Sequence, residues 1–180
     1  PGSMEELTRT SAMSSSARLY STGMIFLILL GADLLNVFLA LTQMPNELAS
    51  WVVGLGLPPL AVLAAIIAIY VVLGCLMDSL SMILLAIPFF WPVVSGLDFG
   101  MSVEELKIWF GILALIVVEL GLITPPVGMN VFVINSLARD VAMSRTFLGV
   151  APFFAAELVR VALLIAFPAL SLWLPSVLAR

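Results

Sequence analysis

The stretch Gly121 to Asn130, GLITPPVGMN, constrains the rest of the chain more than any other. Two successive prolines, Pro125 and Pro126, remove two backbone donors, so a helix arriving through Ile116 and Leu122 must stop near Thr124. The surroundings nevertheless stay apolar. A helix broken at membrane depth strands carbonyls and amides that hydrocarbon cannot satisfy, so the break must be buried in protein or line a watery cavity. Ion and substrate sites in membranes are built in this way.

Membrane depth is the right frame because the chain is 63% hydrophobic and only 10% charged, with a mean hydropathy of +1.23. Soluble domains sit near 45–50% apolar and about 25% charged. Histidine is absent, which removes His-ligated metals, Ser-His triads and His proton relays together. The single cysteine, Cys75, excludes an intramolecular disulfide. A formal charge of −4 argues against a nucleic-acid partner, which needs clustered Lys and Arg.

In chain order, Pro1 to Ser3 read as a remnant of an expression tag ahead of Met4, and residues 4–18 as a polar, Ser-rich lead-in. Residues 19–57 hold a first transmembrane helix, Leu19 to Thr42, and an interfacial arm with Trp51. Asp33 and Asn36 share a face of that helix, and a carboxylate there costs about 2.5–3.5 kcal/mol unless it faces protein or water. The face is either a pathway or a polar packing surface.

Residues 58–96 are apolar on either side of Gly74 to Ser81. Two full spans and a turn need more than about 40 residues, so the segment predicts a re-entrant helical hairpin with its tip at that interruption. At the tip, Gly74, Ser79 and Ser81 are small enough for carbonyls to approach an ion. Asp78 either ligates that ion or caps the helix that follows.

Residues 97–139 contain a capping-box pattern, Ser102 with Glu105, that predicts a helix from Val103 into the break. Glu119 lies about one turn before Thr124, either in the site or in a structural bond to freed backbone. After the break, Val127 to Leu137 reads as a half-helix closed by Arg139-Asp140. Residues 140–180 follow, with an amphipathic turn at Ser144 to Gly149 and a last span over Pro152 to Leu174. In that span Glu157 and Arg160 pair and Pro168 introduces a kink. Arg9, Arg18, Arg139 and Arg145 fall on one side, which the distribution of positive charge makes cytoplasmic.

Tip and break would meet near the bilayer midplane. Carbonyls freed by Pro125 and Pro126, with the Thr124 hydroxyl, suit a cation such as Na+. The half-helix beyond the break points its positive end toward a carboxylate substrate, with Asn130 one turn inward.

These residues also carry a resemblance. Glu119 to Phe132, ELGLITPPVGMNVF, resembles the signature near the C-terminus of the large membrane subunit of tripartite ATP-independent periplasmic (TRAP) transporters. Gly74 to Pro92, GCLMDSLSMILLAIPFFWP, is similar to the same family's preceding motif. Ser21 to Ala40 and the ending Leu170 to Pro175 are similar in placement. The resemblance implies an all-α, polytopic elevator-type fold of which this chain is the second inverted repeat. It also implies sodium-driven import of organic acids such as C4-dicarboxylates, 2-oxo acids or sialic acid, across a bacterial or archaeal inner membrane. The implied partners are a small membrane subunit, a periplasmic substrate-binding protein and the N-terminal half of the large subunit.

The ion- or substrate-binding candidates are Gly74, Asp78, Ser79, Ser81, Glu119, Thr124, Pro125, Pro126, Gly128 and Asn130, with Na+ near Asp78, Ser79 and Thr124 and no other cofactor. An intramembrane enzyme is disfavoured, since neither a His nor a metal-ligand cluster supports one. The remaining alternative is a non-transporting assembly subunit, or a split half that needs its partner half.

Overall fold

The structure, a computed structural model, describes residues 4–125, 128–137 and 141–178, apart from the side chains of 4–17, 174, 176 and 178. Every regular element among them is an α-helix: α1 (Met4–Thr42), α2 (Met44–Gly54), α3 (Pro59–Gly74), α4 (Ser79–Ser95), α5 (Val103–Ile123), α6 (Met129–Leu137), α7 (Met143–Ala166) and α8 (Ala169–Leu178). Pro126, Val127 and the Arg139-Asp140 closure lie outside the described residues.

The bundle is built around α5, which packs on α3, α4, α6, α7 and α8. Its start is fixed locally. Ser102 Oγ accepts from the Glu105 amide at 3.3 Å, and the Glu105 carboxylate accepts in return from the Ser102 amide at 2.9 Å. The expected capping box is therefore present, and the helix begins at Val103. Leu106, Trp109, Phe110, Leu113, Val117 and Leu120 recur at helical spacing and are all buried. Ala114, Ile116 and Val118 are buried too, so α5 is covered on most of its circumference, as befits a central helix.

Against α5 lie α3 and α4, two apolar helices joined by only four residues, Cys75 to Asp78. Val62, Leu63, Ile66, Tyr70 and Gly74 form the buried face of α3, and Met82, Ala86, Phe90, Val93 and Val94 that of α4. The Tyr70 ring ties the three helices together, 5.4 Å from Phe90 and 6.5 Å edge-on from Phe110. Such offset and edge contacts add about 0.5–1.5 kcal/mol each beyond buried area.

Among the described residues, three helices are long and apolar enough to cross a membrane: Arg18–Thr42 within α1, α5 and α7. Only 11% of the apolar window of the first and 6% of that of α7 are buried in the bundle, against 61% for α5, so the outer two leave most of their surface to lipid or to other protein. The lead-in joins α1 as one continuous helix from Met4, consistent with the absence of Pro and Gly between Met4 and Gly23. The turn expected at Ser144 to Gly149 is the opening of α7, which runs on through Pro152. Pro168 does more than kink the last span: the helix stops at Ala166 and α8 starts anew at Ala169. The expected Glu157–Arg160 pair is present at 3.0 Å.

Candidate functional site

Two glycines bring the end of α3 to the end of α5. A Cβ built on Gly74 would stand 2.9 Å from the Cα of Gly121, and one built on Gly121 would stand 2.7 Å from the Cα of Gly74. Side chains do not tolerate such distances, so the backbones meet there because neither residue has one. Gly74, singled out in the sequence as room for an ion, is filled by its partner helix. Gly121, its counterpart, carries no local signal beyond its place in the signature.

One residue beyond Gly74 and three beyond Gly121 the contact becomes polar. The buried Cys75 thiol donates to the carbonyl of Thr124 at 3.5 Å. Thr124 is extended, with φ −80° and ψ 131°, the conformation imposed on a residue that precedes proline. Its amide donates to the Gly121 carbonyl at 3.0 Å, replacing the donor that Pro125 lacks. Its hydroxyl donates to the Leu120 carbonyl at 2.6 Å. With the proton committed there, the Oγ1 lone pairs remain available as acceptors.

Beyond the break, buried Gly128 has φ +46°, a left-handed conformation that side chains resist. A Cβ there would also come within 3.2 Å of the Thr124 carbonyl and the Phe147 ring. Its carbonyl accepts from the Phe132 amide at 3.0 Å and opens α6.

At the other side of the α3–α4 turn, Asp78 caps α4. Its Oδ2 accepts from the Ser81 amide at 3.0 Å and its Oδ1 from the Ser81 hydroxyl at 2.6 Å. Of the two readings open in the sequence, the cap is the one its geometry satisfies. Asp78 is exposed, Ser79 and Ser81 half-buried. Glu119, Pro125 and Asn130 are exposed on the outside of this junction, and Pro126 lies outside the described residues. The candidates thus form a break cluster, in which Gly74, Thr124 and Gly128 meet through Gly121 and Cys75, and a tip cluster of Asp78 and Ser81.

An apolar helical bundle with a helix turn seated on a proline-broken helix has the architecture of a polytopic membrane permease. The comparisons with known proteins make this specific. Residues 3–170 match the family described as tripartite ATP-independent periplasmic transporter, DctM component, and the chain belongs to that family. It is 33% identical over 155 residues to the C4-dicarboxylate TRAP transporter large permease protein DctM of Pseudomonas aeruginosa, covering 86% of this chain and 35% of that protein. It is 28% identical to the sialic acid TRAP transporter large permease protein SiaM of Vibrio cholerae, with coverage of 86% and 35%. To the sialic acid TRAP transporter permease protein SiaT of Haemophilus influenzae it is 27% identical over 175 residues, covering 97% of this chain and 27% of the relative. The chain therefore spans about a third of the length of these relatives. The family is one of transporter components and not of enzymes.

Proposed function

We propose that this chain is the C-terminal repeat of a sodium-coupled importer of organic acid anions, acting with an N-terminal half, a small membrane subunit and a periplasmic binding protein. The observation that carries the reading is the junction at Gly74–Gly121 and Cys75–Thr124, which seats a short helix turn on a helix break within an apolar bundle. At 16 and 17 residues, α3 and α4 reach about 24 and 26 Å at 1.5 Å per residue, short of a hydrocarbon core of about 30 Å. That length supports a re-entrant hairpin entering and leaving on one side.

In this reading Na+ takes the Thr124 hydroxyl oxygen and carbonyls freed at the break, with Ser79 near the turn. Sodium drives uptake only by binding one state of the carrier better than another. The anion sits at the α6 N-terminus beside Gly128 and Asn130, where unpaired amides favour negative charge. C4-dicarboxylates and sialic acid, the substrates named for the relatives, set the chemical class.

The test is uptake of labelled organic acids into proteoliposomes that contain the complete large subunit, the small subunit and the binding protein. Uptake that needs an inward Na+ gradient, and fails with K+ or without the binding protein, is the expected result. Uptake indifferent to both would overturn the coupling and leave the break as a structural kink.

A further inference from the structure

A charge is left unanswered on the outer side of α1. Asp33 lies near the middle of the apolar stretch Arg18–Thr42, fifteen residues from one end and nine from the other. That is about 22 and 13 Å along the axis, too far for the short aspartate side chain to snorkel as a lysine does. Ala32 is buried and Ile28, Asn36 and Leu39 are half-buried, the four lining clefts against α4. Asp33 is turned away from them, in line with Phe26, Leu30 and Val37 at helical spacing, and all four of these residues are exposed. Among the described residues no base pairs with Asp33. Lys107 is taken by Glu104 at 3.2 Å and Arg160 by Glu157 at 3.0 Å. Arg18 is about four turns away on the same helix, and Arg145 belongs to α7, which packs on α5, α6 and α8.

We propose that this side of α1 is an interface with a further membrane helix of the permease, one that brings a Lys or Arg to Asp33. The inference rests on the reading of this chain as one repeat of a larger permease, and the chain spans only 35% of the first two relatives described above. Hydrocarbon offers a carboxylate no partner, so acids at this depth face protein or water and pair with a base. Phe26, Leu30 and Val37 make poor walls for a water path, because none of them holds water by a hydrogen bond. A second copy packed through the same side sets one Asp33 beside the other, and like charges there repel. A base on a different helix satisfies the charge and covers the apolar residues around it in one contact. A single polar residue in an otherwise apolar seam also fixes the register of two packed helices.

The test is photocrosslinking in the complete large subunit, reconstituted by itself in lipid nanodiscs. Benzoylphenylalanine at Leu30 or Val37, one turn to either side of Asp33, should form an adduct with one further helix of the same molecule. Peptide mapping should find a Lys or Arg within a turn of that adduct. Asp33→Lys should abolish the adduct, and exchanging the two charges, with the mapped base replaced by Asp, should restore it. If Asp33→Lys alone does not insert, recovery of folded protein by the exchanged pair reads the same contact. Adducts with lipid alone, or with the same side of a second copy, overturn the proposal. So does a mapped helix without a base, or an exchange that restores nothing. Reaction of Asp33→Cys, as the only cysteine, with a membrane-impermeant thiol reagent assigns this side of α1 to a water path and overturns it too. The adduct needs neither Na+ nor substrate, so sodium-driven uptake by the unmodified transporter tests the proposed function independently.

Discussion

The indole nitrogen of Trp109 donates to the carbonyl of Leu164 at 2.8 Å, across 55 residues of sequence and inside the core. Leu164 is the residue whose helical donor Pro168 would have supplied, so a side chain of α5 replaces the bond that ends α7. The preceding carbonyl, Leu163, keeps its own donor in the amide of Phe167 at 2.8 Å. Trp109→Phe should therefore lower stability by about 1–3 kcal/mol, the cost of a buried acceptor left unpaired. Thermal unfolding in detergent measures this against Trp51→Phe, an exposed tryptophan that should shift nothing. Equal shifts in the two variants would mean that the bond contributes no more than surface packing.

Gly74 and Gly121 act as a pair. Alanine at either position must push α3 and α5 apart, at about 1–3 kcal/mol for overpacking of this kind. Because both substitutions disturb one contact, the double variant should cost less than the sum of the singles. Gly111, in the same helix with nothing within 4 Å of a built Cβ, supplies the contrast: Gly111→Ala should stabilise by up to about 1 kcal/mol through helix propensity. Additive losses from the two junction glycines would show that the helices relax independently.

What the sequence made legible follows from the range of the interactions. The capping box at Ser102 and Glu105 and the break at Thr124 are each settled within a few residues, so composition and spacing suffice, whereas Asp78 stays open between ion ligand and cap until its contacts with Ser81 are in place. The Gly74–Gly121 contact joins residues 47 apart, and nothing local to either distinguishes a glycine that packs on a helix from one that makes room for an ion. Cys75 is similar: its thiol reads as one more apolar position until α5 supplies the Thr124 carbonyl. The end of the last span is less legible: Pro168 removes the donor of the Leu164 carbonyl, and only the fold brings the Trp109 indole from α5 to take its place.

Asp78 allows structure and ion coupling to be separated. Asparagine keeps an oxygen for the Ser81 amide, so Asp78→Asn should change stability by only a few tenths of a kcal/mol, whereas Asp78→Ala should cost about 1 kcal/mol. In the complete transporter, Asp78→Asn should then retain its sodium dependence if the carboxylate serves only as a cap. A stable Asp78→Asn variant that no longer responds to Na+ would move the charge into the ion site.

Thr124 is the sharper test of the proposed coupling. Its hydroxyl proton goes to Leu120, which leaves Oγ1 as an acceptor at the junction with Cys75. Thr124→Ser keeps that oxygen, while Thr124→Val removes it at nearly constant volume and leaves the backbone carbonyl and the extended conformation before Pro125 in place. In reconstituted uptake the serine variant should stay close to wild type. The valine variant should need about tenfold more Na+ for half-maximal rate, equivalent to about 1.4 kcal/mol of lost ion binding. Thermal unfolding without Na+ reads the structural cost of each variant separately, so a weaker fold is not mistaken for a weaker site. If the valine variant keeps its Na+ requirement and only loses stability, Thr124 closes the helix end and sodium binds elsewhere.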